Sequence, residues 1–190
     1  MVKRAVHPLI PTEQPTDECI GRWAVAAAGR DVDDCLRALH VHIDDVTEVH
    51  RPLCVASGRC CRFGEHGHLL AVTGLEALWT LQRIGRSLHA AEAAHALNRG
   101  ACAFLGGTMC TIHGVRPTGC RTYHCDITAR PWQEPLAESV HAAVRDLHSR
   151  MGVPYLLAEW TWLLNAIEQA RDRGLLGGRH GAYHASDAGV

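Results

Sequence analysis

The sequence has little lysine and no excess of either charge. Lys3 is the only lysine among the 190 residues, and every other basic residue is arginine or histidine. This excludes two kinds of chemistry that need the amine, a Schiff-base lysine and a phosphate-binding P-loop. The formal net charge is -1. Because the basic residues are also dispersed, the chain carries no electrostatic footprint for nucleic acid or for an anionic membrane.

Long apolar segments are lacking as well. No stretch approaches the roughly 18 apolar residues that a membrane-spanning helix needs, and residues 1–15 are polar and proline-rich, unlike a signal peptide. We therefore expect a cytoplasmic protein, in which thiols stay reduced unless a metal or a redox role uses them. The His-Glu-x-x-His motif of zinc proteases and the Gly-x-Ser-x-Gly motif of hydrolases are also missing.

Cysteine, in contrast, is abundant. The chain has nine cysteines, and seven lie between residues 54 and 125, beside glycine, proline and arginine rather than on apolar stripes. This pattern suits thiolates around a metal better than the core of a helix or strand. Buried core thiols and a disulfide framework are the alternatives, and the odd total argues against complete pairing. The predicted metal ligands are Cys54, Cys60, Cys61, Cys102, Cys110, Cys120 and Cys125.

The length and the helical periodicity on both sides of the cysteines predict the fold class. A chain of 190 residues can form one domain with its own core. We predict a mainly α, single-domain protein whose helices pack around an irregular cysteine-rich metal-binding centre with at most short strands. Its predicted parts are a flexible N-terminal segment (1–16), the cysteine-cluster core (52–126), a C-terminal helical hairpin (133–174) and a frayed tail (177–190).

Local signals place individual elements. Asp31 is the predicted cap of a helix whose apolar residues recur as far as Val46, with Cys35 on the apolar face as a core thiol. Thr73 and Glu76 form a capping box at the start of a later helix. Further predicted elements are an alanine-rich helix over 89–97 and short strands over 68–73 and 103–105.

A family resemblance rests on four segments that occur together and in order. They are Cys54-x2-Ser57-Gly58-x-Cys60-Cys61, Thr73-x2-Glu76, Cys102-x-Phe104-Leu105 and Cys110-x-Ile112-His113-x2-Arg116-Pro117-x2-Cys120-Arg121-x-Tyr123-x-Cys125. Over residues 52–126 the chain resembles the YkgJ-type cysteine-cluster family, which is described as a zinc- or iron-chelating domain. The family pattern has a cysteine where this chain has Ser57. One possible ligand is thus lost, because a serine hydroxyl is a weak metal ligand beside a thiolate. The position is either a non-ligand in this branch of the family or an opened coordination site.

The resemblance also implies a cofactor. A similar segment occurs in flagellin lysine methylases, where the family is associated with a 4Fe-4S centre. An iron-sulfur cluster is therefore the expected cofactor and zinc the alternative, since thiolates suit both. No glycine-rich adenosylmethionine loop follows a strand in this chain, so methyl transfer is not implied.

Seven thiolates exceed the four ligands that one zinc ion or one 4Fe-4S cluster takes. Three arrangements satisfy this excess: a cluster with three spare thiols, two zinc ions with His113 as the eighth ligand, or a binuclear site with bridging thiolates. Arg116 and Arg121 are the predicted cofactor-binding residues, because guanidinium groups can compensate the negative charge of a thiolate centre. The secondary ligand candidates are His66, His68, His113 and His124.

Two classes of function follow from these ligands. The first is a redox protein whose cluster carries electrons or serves small-molecule metabolism, with an electron donor or a small-molecule substrate as its partner. The second is a zinc-binding structural, metal-trafficking or interaction module without catalysis. The sequence identifies no acid–base pair, and it predicts neither a reaction nor an oligomeric state.

Overall fold

The computed structural model describes residues 9–176, and the fold is mainly α, as the sequence predicted. Within this range no helix combines the length and the apolar character needed to cross a membrane. The helices are α1 (Asp17–Ala27), α2 (Arg30–His50), α3 (Phe63–His66), α4 (Gly74–Arg83), α5 (Ala90–Arg99), α6 (Thr118–Thr122), α7 (Arg130–Arg150) and α8 (Trp160–Asp172). The strands are β1 (Ala71–Thr73), β2 (Leu105–Gly106), β3 (Met109–Cys110) and β4 (Leu157–Glu159).

Helices α1 and α2 form the N-terminal part of the domain. Thr16 caps α1 by accepting a hydrogen bond from the Cys19 amide at 3.2 Å. Helix α2 begins directly after Gly29, so Asp31 lies in its first turn, where a carboxylate favours the helix dipole, and does not cap it as predicted. Cys35 packs, partly buried, against the core.

Two strand–helix units lie at the centre of the domain. Strand β1 pairs antiparallel with β4, with Ala71 opposite Glu159 and Thr73 opposite Leu157, and the strands lead directly into α4 and α8. The predicted capping box is present. The Thr73 hydroxyl accepts from the Glu76 amide at 3.3 Å, and the Glu76 carboxylate accepts from the Thr73 amide at 3.0 Å.

Tryptophans fill the core around these units. Trp23 of α1, Trp79 of α4 and Trp160 of α8 are fully buried, and α1 packs on α4 while α5 packs on α8. The approach of α1 to α4 needs glycine at Gly74, because a Cβ there would lie 2.4 Å from the Trp23 ring. The Trp79 indole donates to Asp33 at 2.9 Å, which ties α2 to the same core.

The C-terminal helices α7 and α8 are present but are not each other's main packing partners. Helix α7 lies against α6 and α2, whereas α8 lies against α5 and α4. The reason is strand β4, which intervenes between the two helices and pairs with β1. Both helices predicted over 133–174 are therefore present. They do not pack mainly against each other, which a hairpin would require.

Other predicted segments differ in extent. Of the segment 1–16, the described part is attached to the core: the Leu9 carbonyl accepts from the Glu159 amide at 2.7 Å, and Ile10 packs against buried residues. The predicted strands are shorter than expected, as β1 and β2 show. The predicted frayed tail, 177–190, lies outside the described residues.

Candidate metal centre

Cys60 and Cys61 lie in a tight 3-10 turn over Arg59–Cys61. The turn is preceded by Gly58, whose φ of 71° is in the left-handed region. A Cβ at this position would also lie 3.0 Å from the Thr108 carbonyl oxygen, between β2 and β3. Glycine therefore allows two adjacent cysteines to turn tightly against the β2–β3 hairpin.

Backbone and side-chain hydrogen bonds join this turn to the later cysteines. The Cys102 amide donates to the Cys61 carbonyl at 2.8 Å. The hairpin that follows pairs Leu105 with Cys110. The Cys102 sulfur accepts from the Trp160 indole at 3.4 Å, so a core tryptophan fixes the position of this thiol.

Cys120 comes from the short helix α6, which is held closely against the strand pair. A Cβ at Gly119 would lie 2.2 Å from the Ala71 carbonyl oxygen. At the start of α6, the buried Glu76 carboxylate accepts hydrogen bonds from Thr118. These contacts place Cys120 beside the other thiols.

Four segments thus assemble an inner thiol group, which we define as Cys60, Cys61, Cys102, Cys110 and Cys120. The Cys61 thiol interacts with the thiols of Cys102, Cys110 and Cys60, and these contacts together with burial raise the pKa of Cys61. The hydrogen bonds from Cys61 lower the pKa of Cys60 to about 6 and that of Cys110 to about 7. Burial, followed by the charge of neighbouring thiols, raises the pKa of Cys120.

Arg116 is a cation whose charge acts on the inner thiol group. After the hydrogen bonds from Cys61, its charge also lowers the pKa values of Cys60 and Cys110. Its Nε atom is buried and has no hydrogen-bond partner among residues 9–176. A guanidinium in this position can stabilise negative charge on sulfur.

Arg121 has different partners from those expected of a cofactor-binding residue. Its guanidinium pairs with Asp44 of α2 at 2.8 Å and donates to the Gly114 carbonyl at 2.5 Å. The side chain thus joins α6 to α2. Its direct contacts support the position of Cys120 in α6 and do not involve the thiols.

Cys54 and Cys125, the outer thiol pair, stand apart from the inner group. Cys54 is exposed in the loop before the 3-10 turn, and Cys125 is partly buried after α6. Their neighbours are joined, since the Leu53 amide donates to the Asp126 carboxylate at 2.9 Å. Within residues 9–176 neither of these two thiols has a hydrogen bond to the inner thiol group, so we group them separately.

His68 and Tyr123 form a stacked pair beside Cys60. Their ring centroids are 4.6 Å apart with nearly parallel planes, and His68 Nε2 faces the Cys60 carbonyl oxygen at 3.3 Å. Burial, followed by the charges of Cys125 and Cys60, raises the pKa of Tyr123. Tyr123 lies within the family pattern, but its residue type alone predicted no role for it in the site.

The other candidate histidines, His66, His113 and His124, do not interact with the inner thiol group within residues 9–176. Burial lowers the pKa of His113 and that of His124, which favours the neutral imidazole. His66 and His124 each carry a buried Nε2 without a hydrogen-bond partner in the described part of the chain. No interaction joins these three side chains to an inner thiol within residues 9–176.

Thiolate donors suit a soft metal ion, although the cysteine side chains do not yet have the positions that a metal site requires. All nine cysteines are free. Over residues 9–176, no group of three or more His, Cys, Asp or Glu side chains is already placed to hold a metal ion. The Cys61 thiol hydrogen-bonds those of Cys60, Cys102 and Cys110, and Cys120 is near enough for their charges to act on it. Side-chain rotation can exchange these S–H hydrogen bonds for metal–sulfur bonds.

Comparison with known proteins assigns this segment. Residues 53–137 match the family model CxxCxxCC, described as "Putative zinc- or iron-chelating domain". Neither a curated protein nor a solved structure matches the chain. The matched range contains the whole inner thiol group, the outer thiol pair and Arg116. The segment 53–137 is therefore similar to the CxxCxxCC family of zinc- or iron-chelating domains.

Proposed function

We propose that four cysteines of the inner thiol group hold a 4Fe-4S cluster and that the protein has a redox role. The observation that carries this proposal is the all-sulfur donor set: the Cys61 thiol hydrogen-bonds three other thiols, the charges of neighbouring thiols act on Cys120, and within residues 9–176 no carboxylate or imidazole has a hydrogen bond to these sulfur atoms. Thiolates are the usual ligands of iron-sulfur clusters. The fifth inner thiol and the outer thiol pair would then remain free to tune the potential of the cluster or to take part in thiol exchange.

The surroundings of the inner thiol group support a redox role. Arg116 lies where its charge acts on three of the thiols, and the Trp160 indole donates to a fourth, Cys102. Hydrogen bonds and positive charge near sulfur set the potential of a bound cluster. When bound, such a cluster supplies one-electron transfer, and the reduced thiols suit a cytoplasmic setting.

A cavity whose lining includes Gly119, the chain neighbour of Cys120, offers a place for a small molecule. It has a volume of about 410 Å³ and lies between α6, α7 and the strand pair. Tyr123 lines it, together with Arg130, Glu134 and His141. Because the pKa of Tyr123 responds, after burial, to the charges of Cys125 and Cys60, this residue is shared between the cavity and the thiols. The arrangement supports a small-molecule metabolic role, with an electron donor as the second partner.

Zinc is the second candidate, and one observation favours it. The Cys61 thiol contacts three other thiols, and such compact spacing suits one tetrahedral ion with Zn–S bonds of about 2.3 Å. A cubane cluster holds its thiolates farther apart, so the inner group would have to open. With zinc the protein would be a structural, metal-trafficking or interaction module.

The decisive experiment is metal and sulfide analysis of the full chain purified without oxygen, followed by electron paramagnetic resonance and Mössbauer spectroscopy. About four iron and four sulfide per chain, with visible absorbance that bleaches on reduction, is the result that we expect. A colourless protein with stoichiometric zinc and no sulfide would overturn the cluster and select the zinc module. The Cys19→Ser variant serves as the matched thiol control, because Cys19 lies on α1 outside the inner group.

A further inference from the structure

A second, smaller cavity is lined by His68 and by residues of the segments that flank it. Its volume is about 290 Å³. One part of its wall is apolar and is formed by Ile10, Phe63 and Leu69, while the polar side chains are His68, Glu159 and Thr161. It shares His68 with the stacked pair beside Cys60. The cavity therefore combines an apolar surface with a few polar groups, as ligand sites do.

Glu159 contributes to this cavity a buried carboxylate of which only one oxygen accepts hydrogen bonds. The side chain is 3% exposed. Its Oε2 accepts from the Trp162 amide at 2.8 Å and from the Thr161 hydroxyl at 2.6 Å, at the start of α8. Its Oε1 is buried and has no hydrogen-bond partner among residues 9–176. A buried carboxylate oxygen without a donor is costly, so a donor or a cation in this place is stabilising.

His68 adds a second acceptor to the same cavity. Its Nε2 faces the Cys60 carbonyl oxygen at 3.3 Å, and a carbonyl can only accept, so this nitrogen carries the proton. The other nitrogen, Nδ1, is then a lone-pair acceptor. It is buried and has no partner in the described part of the chain. Two unsatisfied acceptors, one of them on a carboxylate, thus belong to residues that line one cavity.

We propose that this cavity binds a small primary alkylammonium ion, which donates N–H hydrogen bonds to Glu159 Oε1 and His68 Nδ1 and places its alkyl group against Ile10, Phe63 and Leu69. Both acceptor atoms are covered, so the side chains turn toward the ligand as it enters. The ion supplies the two things that the cavity lacks, positive charge and hydrogen-bond donors.

A metal cation fits this cavity less well than an organic ammonium ion. One carboxylate oxygen and one imidazole nitrogen are too few ligands, and no group of three or more such side chains is placed to hold a metal within residues 9–176. The apolar wall would also be left against a hydrated ion. An alkylammonium uses the polar and the apolar surface together.

The experiment is calorimetric titration of the full chain, as isolated with its metal, with n-butylammonium chloride. Two matched probes separate the contributions: tetramethylammonium has the charge without N–H donors, and n-butanol has the alkyl chain without the charge. We expect n-butylammonium to bind about tenfold or more tightly than either probe. Equal binding of tetramethylammonium, or no binding of n-butylammonium, would overturn the proposal.

Variants locate the binding. Glu159→Gln keeps the size of the side chain and removes its charge, and we expect about a tenfold loss of n-butylammonium affinity. Glu134→Gln removes an exposed carboxylate of the other cavity and should bind as the wild type does. Should Glu159→Gln fold poorly, Ile10→Trp fills the cavity while leaving the carboxylate in place, and unchanged affinity in that variant contradicts the site.

The metal content of each variant is measured in parallel. This site does not depend on which metal the inner thiol group holds. Loss of n-butylammonium binding with normal metal content therefore supports the ammonium site, whatever the outcome for the proposed cluster.

Discussion

The carboxylate of Glu76 joins the start of α4 to Thr118 at the start of α6. Its Oε1 accepts from the Thr118 hydroxyl at 2.6 Å and from the Thr118 amide at 3.1 Å. Its Oε2 accepts from the Thr73 hydroxyl at 2.9 Å and from the Thr73 amide at 3.0 Å. One buried carboxylate thus satisfies two helix starts, and the second of these helices carries Cys120.

Replacing Glu76 should therefore cost both stability and metal. We expect Glu76→Ala to lower the free energy of unfolding by about 3 kcal/mol, because four buried donors lose a charged acceptor. Thr118→Val removes one of these bonds and should cost about 1–2 kcal/mol. Urea denaturation measures both changes, and metal analysis shows whether α6 still delivers Cys120. Glu138→Ala, on the exposed side of α7, is the control, and an equal effect in it would contradict the role of Glu76.

The inner thiol group should be needed for metal binding. We predict that Cys60→Ala or Cys120→Ala abolishes metal incorporation and soluble expression, because binding energy for the metal is also folding energy here. Cys19→Ser should leave both intact. Elemental analysis and soluble yield measure the outcome, and a normal metal content in Cys120→Ala would remove that residue from the ligands.

The outer thiol pair should be less important than the sequence alone suggested. Cys54 is exposed, and Cys125 lies near Tyr123 rather than within the inner group. We expect Cys54→Ser and Cys125→Ser each to retain most of the metal that the wild type binds. The same metal analysis checks this. Losses as complete as that of Cys60→Ala would show that all seven cysteines are ligands.

Gly119 should tolerate no side chain. A Cβ there would lie 2.2 Å from the Ala71 carbonyl oxygen, so Gly119→Ala must push α6 away from β1. We expect a loss of about 2–3 kcal/mol in the free energy of unfolding, with a lower metal content. Gly21→Ala is the matched control, because nothing lies within 4 Å of its Cβ. In helix α1 it should gain about 0.5–1 kcal/mol, and the same sign for both variants would contradict the steric argument.

His40 should make the protein less stable in mild acid. Burial, followed by the charges of Arg121 and Arg37, lowers the pKa of His40 to about 3, whereas the unfolded chain has a pKa of about 6.5. Between these values the unfolded state binds the additional proton, so stability falls as the pH drops below about 6.5.

The expected loss from His40 alone is about 2 kcal/mol between pH 8 and pH 5. Urea denaturation of the wild type and of His40→Phe at both pH values isolates this contribution from that of the other histidines. Phenylalanine keeps the edge contact with Trp79, whose ring centroid lies 5.2 Å from the imidazole. If the two proteins lose the same stability in acid, the buried imidazole is not the cause.

Local patterns predicted much of the secondary structure. The capping box at Thr73 and Glu76 needs only residues three apart, and it is present as predicted. The helical periodicity behind α2, α7 and α8 and the alanine content behind α5 are likewise local signals. The prediction of a C-terminal hairpin went further, to packing. It missed β4, which is only three residues long. No local pattern predicts the pairing of β4 with β1, because the two strands are far apart in the sequence.

The partition of the cysteines also depended on distant contacts. The sequence treated seven thiols as equal, since their spacing along the chain does not say which of them face the same point. Hydrogen bonds of the Cys61 thiol join Cys60, Cys102 and Cys110 across the fold, whereas Cys54 and Cys125 have no hydrogen bond to these thiols within residues 9–176. The position of Arg121 also depends on a distant contact, because its ion-pair partner Asp44 lies in α2, far from Arg121 in the sequence.

By itself the sequence determined the helical class, the capping box at the start of α4 and the residue types of the centre, because propensity, periodicity and thiol chemistry act over a few residues. Only the tertiary structure decided that Glu76 supports α6, that the Cys61 thiol contacts three other thiols, and that Glu159 and His68 line one cavity. These juxtapositions arise when β1 pairs with β4 and α6 closes over them at Gly119. They are consequences of packing between segments that are remote along the chain.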